Sequence, residues 1–106
     1  MAAILMDKKV VTLINVFTVE TANQQKVLDL LVNATENTMK NLPGFVSASI
    51  HKSLDGVRVV NYAQWRSQAD FEAMTKNPEA QAHMKPLMET AKSDFHLYEV
   101  TETLSL

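Results

Sequence analysis

The stretch Val59-Val60-Asn61-Tyr62-Ala63-Gln64-Trp65 concentrates groups that could hold a small organic molecule. Read as a strand, it puts Asn61, Ala63 and Trp65 on one face, so an amide and an indole N–H flank a methyl group too small to fill the space between them. Asn15 lies in a run of β-branched and apolar residues from Val10 to Val19 and shares a face with Leu13 and Phe17. It places a second amide where strand propensity favours a β-branched residue. A buried amide left unmet costs about 1–3 kcal/mol, so two on one face call for a ligand, an ordered water or each other. The chemistry such a set can do is to enclose a small molecule and meet its polar atoms with amide and indole hydrogen bonds. The plain structural alternative is a satisfied strand asparagine beside a core tryptophan.

Three histidines could move protons. His51 ends the strand before Asp55-Gly56, and its direction depends on the turn. A three-residue turn with Gly56 in a bulge puts His51, Ser49, Ser47 and Phe45 on the side of Asn61 and Trp65, whereas a two-residue Asp55-Gly56 turn sends them to the other side. Both remain open from sequence. His51 is the first candidate base and His83, flanking Met84 and Leu87, the second; His96 has no partner pattern. The chain has no HExxH, no carboxylate pair at metal-binding spacing, no phosphate-cradling loop and no dinucleotide fingerprint, and only 2 glycines to build one. A bound flavin, nicotinamide or metal is therefore unsupported.

The elements that must position these residues follow from periodicity. Val10–Val19 predicts a strand buried on both faces. Thr21 and Gln24 have capping-box spacing, and Val27, Leu31, Ala34 and Thr38 line one face of a helix reaching about Lys40. Leu42-Pro43-Gly44 stops it. Phe45–Ser53 and Val57–Arg66 predict two strands joined at Asp55-Gly56. Ser67 and Asp70 open a short helix carrying Phe71 and Met74, and Asn77-Pro78 opens another with Ala80, Met84, Leu87, Met88 and Ala91 as its buried stripe. Phe95–Thr103 is the predicted last strand. The order β-α-β-β-α-β predicts an α+β, ferredoxin-like fold with a four-stranded antiparallel sheet and helices on one face. Val60 and Tyr62, and Ile14 and Val16, give the other face apolar residues too, which predicts a homodimer joined sheet to sheet.

The 106 residues suit one domain, with a core over about 10–103 and an N-terminal arm over 1–8. Ala3-Ile4-Leu5-Met6 is too short for a signal-peptide core, and Lys8 and Lys9 follow it rather than precede it, so the arm is expected to be untethered. A net charge of -2 without a basic stripe excludes a nucleic-acid partner. No run approaches the ~20 apolar residues of a membrane span. The absence of cysteine suits a reducing, cytoplasmic setting.

Leu42-Pro43-Gly44-Phe45, Ser53-Leu54-Asp55-Gly56 and above all Asn61-Tyr62-Ala63-Gln64-Trp65 give the chain, from about Val10 to Val100, a pattern that resembles the antibiotic biosynthesis monooxygenase family. The strand-three segment is most similar to the actinorhodin- and nogalamycin-pathway members, which oxidise phenolic or anthrone-type polyketides to quinones with molecular oxygen as co-substrate and no cofactor. The resemblance implies a dimeric α+β barrel with a pocket between sheet and helices in each subunit. It implies catalytic roles for Asn15, Asn61, Trp65 and His51, and aromatic-substrate contacts from Phe71, Met74, His83 and Met84. Where the actinorhodin-type enzyme has a helical tyrosine this chain has Phe71, which cannot donate a proton, and that enzyme's later helical arginine has no clear counterpart near His83 to Lys85. Two rival readings are a quinol monooxygenase acting on simple hydroquinones and a non-catalytic binding protein. Haem degradation fits worse, since Met74 occupies the helical Trp position of those relatives.

Overall fold

In a computed structural model that describes residues 3–6 and 9–106, the β-branched run becomes strand β1 (Val11–Thr18). Helix α1 (Gln24–Asn37), strands β2 (Phe45–Lys52) and β3 (Arg58–Trp65), helices α2 (Gln68–Thr75) and α3 (Pro78–Thr90), and strand β4 (Lys92–Tyr98) follow. All strand pairs are antiparallel, in the spatial order β2-β3-β1-β4. This is the ferredoxin-like α+β arrangement.

Two predicted helix starts form as read. The Ser67 hydroxyl accepts the Asp70 N–H at 3.1 Å, and the Asn77 side-chain oxygen accepts the Ala80 N–H at 3.0 Å, with Pro78 in the first turn. The Thr21–Gln24 capping box does not form. Residues Thr21–Asn23 instead make a 3₁₀ turn, and the Gln24 amide donates to the carbonyls of Ser53 and Arg58, both at 3.0 Å. Two carbonyls at the base of the β2–β3 hairpin thus outbid the helix end for that side chain. Helix α1 stops at Asn37, short of Lys40, and a 3₁₀ turn over Met39–Asn41 leads to Gly44, whose φ of 85° and close approach to the Asp70 side chain suit only glycine. Its carbonyl accepts the Arg66 N–H at 2.7 Å, which ties the end of β3 to the start of β2.

Strand β4 begins at Lys92 and ends at Tyr98, earlier at both ends than Phe95–Thr103. Its polar opening, Lys92-Ser93-Asp94, reads as a loop in sequence but is tolerated because β4 is an edge strand. The helix-facing side of the sheet carries Phe17 and Val59, which pack with Val27, Leu31 and Leu87 of α1 and α3 as the main core.

The opposite side presents Ile14, Val16, Val60 and Tyr62, all partly exposed. At one end of that side Gln64 and Thr12 face each other and are buried. The reason is the N-terminal arm, which is tethered, contrary to expectation. Gln64 accepts the Leu5 N–H at 2.8 Å and donates to the Leu5 carbonyl at 3.0 Å, reading that residue as a neighbouring strand would, while also donating to the Thr12 hydroxyl at 3.0 Å. Positions 1, 2, 7 and 8, including Lys8, lie outside the described residues.

Candidate active site

The register decides which side chains meet. Asn15 pairs directly with Asn61, Leu13 with Ala63 and Phe17 with Val59. Both amides therefore stand side by side on the helix-facing surface, next to the small Ala63, with Trp65 beyond it. The helices do not close this space completely. A cavity of about 410 Å³ remains between sheet and helices, within the ordinary range for a small-molecule site.

Its floor is Leu13, Asn15, Asn61, Ala63 and Trp65; Phe71 and Met74 of α2 and Met84 of α3 stand over it. Met39 and Met88 join Met74 and Met84, so 4 of the chain's 6 methionines form the wall. Their unbranched thioethers fill and vacate space with little penalty. Phe45 meets the Trp65 ring edge to face at 5.5 Å, and Phe95 meets Phe71 at 6.3 Å. Phe95 and Met88 are exposed enough to form an apolar rim.

Two buried polar atoms on its lining residues are unmet. The Asn61 Oδ1 and the Trp65 Nε1 are buried and have no hydrogen-bond partner among the described residues. Asn15 differs, because its Oδ1 accepts the Ser93 hydroxyl at 2.7 Å. With that oxygen engaged, the amide N–H₂ is what Asn15 can offer a further partner.

The histidines are elsewhere. His51 pairs with Val60, on the face remote from Asn61, and is exposed. Ser53 pairs across to Arg58 at the hairpin base, and its four-residue tip has the same parity as a two-residue turn, so Ser47, Ser49 and His51 all point away from the cavity. Phe45 parts company with them because a bulge at Val46 shifts the register and returns it to the face of Trp65. At the tip, the Ser53 hydroxyl, with the Val57 N–H, holds the Asp55 carboxyl below its usual range. His83 sits on α3 but does not line the cavity, where its neighbours Met84 and Lys85 do. Thus Asn15, Asn61, Trp65, Phe71, Met74 and Met84 come together, and His51 and His83 do not join them. Sequence reading missed Gln81 and Lys85, one helical turn apart on α3, though Gln81 lies three residues before Met84 and Lys85 three before Met88, and that spacing carried the signal. Lys85 is the one charged side chain among the described lining residues. No cluster of described residues has the make-up of a metal site.

A fold of this kind with an amide- and indole-floored cavity defines a class, and comparison with known proteins identifies it. Residues 10–86 match the model of the antibiotic biosynthesis monooxygenase family, and the chain belongs to that family. It is 51% identical over 83 residues to tetracenomycin-F1 monooxygenase of Streptomyces glaucescens, covering 78% of this chain and 74% of that one, and it is a monooxygenase. Among solved structures, a variant of SnoaB, a cofactor-independent oxygenase of Streptomyces nogalater, superposes with a TM-score of 0.78 at 24% identity over 91% of this chain and 97% of that one. The ActVA-Orf6 monooxygenase of Streptomyces coelicolor, crystallised with nanaomycin D, gives 0.75 at 26% identity over 92% and 95%.

Proposed function

We propose that this chain oxidises a fused-ring phenol or anthrone to a quinone with molecular oxygen and without a bound cofactor. The observation that carries the reading is the pair of unpartnered polar atoms, Asn61 Oδ1 and Trp65 Nε1, on residues lining an otherwise apolar cavity. The relative named for tetracenomycin F1 and the fold-mate crystallised with nanaomycin D support an aromatic substrate. A cavity of about 410 Å³ suits several fused rings better than a single hydroquinone ring.

Triplet oxygen does not combine readily with closed-shell molecules, so the substrate must become an electron donor by losing a proton. No histidine or carboxylate is among the described lining residues. The site therefore works by stabilising the anion, through N–H donors on the floor and the Lys85 ammonium on α3, while the proton passes to water at the mouth. One electron moves from the enolate or phenolate to oxygen. The carbon radical and superoxide combine into a peroxide, which takes up a proton. Loss of water from that hydroperoxide leaves the new carbonyl, so each CH₂ and O₂ give one C=O and one H₂O.

The outer row of Ile14, Val16, Val60 and Tyr62 supports a homodimer in which a second copy covers that face. Light scattering should give twice the chain mass. We place the chain in the cytoplasm as a single domain; no described helix is long and apolar enough to cross a membrane. The test of function is oxygen uptake by chelator-treated protein with a hydroxylated anthrone. One O₂ consumed per quinone formed, at a rate rising with pH as the substrate ionises, supports the proposal, and binding without oxygen uptake would leave only a binding protein.

A further inference from the structure

The two floor amides, paired across β1 and β3, are held differently. The Asn61 Oδ1 has no partner among the described residues, so that side chain can turn either its oxygen or its nitrogen toward a ligand. The Asn15 Oδ1 is engaged by the Ser93 hydroxyl at 2.7 Å, across the β1–β4 pairing, and Asn15 is only 5% exposed. Ser93 lies opposite Phe17, on the helix-facing side of an edge strand, where it reaches Asn15 diagonally.

We propose that Ser93 is a positioning residue that keeps the Asn15 amide turned with its N–H groups toward the cavity, and thereby makes the site favour the ionised form of the substrate's hydroxyl. This rests on the functional reading above. A neutral phenol can donate to Asn61 and accept from Asn15. Once the proton has gone, its oxygen needs donors only. Asn61 can rotate to supply one, and Asn15 already presents one without reorganisation, the condition under which a preorganised donor contributes most to an anionic state. Were Asn15 turned over, two amide oxygens would face the anion from neighbouring strands. Ser93 is not itself among the described residues that line the cavity, so its effect passes through Asn15.

The test uses a hydroxyanthraquinone, a product-like chromophore that cannot be oxidised further in this way and whose absorbance distinguishes phenol from phenolate. Wild-type protein should bind the phenolate more tightly and so lower the dye's apparent pKa. Ser93→Ala should weaken phenolate binding about tenfold, the scale of one hydrogen bond to a charged group, and leave neutral-phenol binding within about twofold. Ser93→Thr, which keeps the hydroxyl, should restore the wild-type preference. With an oxidisable anthrone, Ser93→Ala should shift the pH–rate profile to higher pH, a change that a merely structural loss would not produce. If Ser93→Ala and wild type prefer the phenolate equally, or if Ser93→Thr behaves like Ser93→Ala while both melt like wild type, the positioning role is wrong and the oxygenase reading survives. If wild type binds neither form, the functional reading falls and this inference with it.

Discussion

Replacing Asn61 by leucine should make the ligand-free protein more stable and the enzyme far slower. Asn61 lies in the interior of β3, between Asn15 of β1 and Ile50 of β2, with its Oδ1 buried and unpartnered. An unmet buried acceptor costs about 1–3 kcal/mol, and leucine of similar outline removes it. Strand propensity favours leucine over asparagine in the same direction, on a scale spanning about 1 kcal/mol. A net gain near 1 kcal/mol is the conservative sum, and in a domain of this size that raises the melting temperature by roughly 4–8 °C. Loss of one oriented polar group in the site should slow turnover by about 10²-fold, or ~2.7 kcal/mol. Thermal melts at fixed protein concentration and oxygen uptake with a hydroxyanthrone measure both quantities. Melting about 4 °C lower, or turnover within about a factor of two of the parent, would refute the reasoning, because Asn61 would then be either satisfied in the free protein or idle in the reaction.

His51→Ala should leave turnover within about a factor of two, not reduced by the ~10²–10⁴-fold typical of a lost general base, since the side chain points away from the cavity. A larger loss under saturating substrate would mean that the proton leaves by way of this residue. Gln64→Ala should release the N-terminal arm: amide exchange at Leu5 becomes as fast as in a free peptide, and the buried Thr12 hydroxyl, left unmet, lowers stability by about 1–3 kcal/mol. Unchanged protection at Leu5 would show that something other than Gln64 holds the arm. Lys85→Ala should raise KM for an anionic substrate about fivefold, the scale of a partly screened ion pair, with a smaller change at high salt. Equal KM values for the two proteins would remove the cation from the account.

The floor of the cavity was legible in sequence because it depends only on strand periodicity. Asn61, Ala63 and Trp65 alternate with Val60, Tyr62 and Gln64, and no loop lies between them. The caps at Ser67 and Asn77 were legible for a similar reason, each being a contact over three residues. What could not be read was anything set by counting across a loop or a bulge. The direction of His51 depended on the parity of the hairpin tip, and Phe45 was separated from it by a bulge at Val46 that no residue type announces. Gln24 fitted a helix cap and went to the hairpin carbonyls, a competition between local and distant partners that only the assembled fold resolves. Ser93 was hidden within a polar segment whose membership of the sheet follows from its neighbour β1 rather than from its own composition.

The sulfur-bearing wall has a practical corollary. Met74, Met84 and Met88 can each swing about several single bonds, so under the proposed function the roof takes its contour from the guest, and selectivity is set where the guest's oxygen substituents meet the unyielding strands beneath. Someone retooling the catalyst for bulkier or differently fused skeletons should leave the floor untouched and edit the roof. Stiff, branched replacements there would trade that tolerance for a single preferred silhouette.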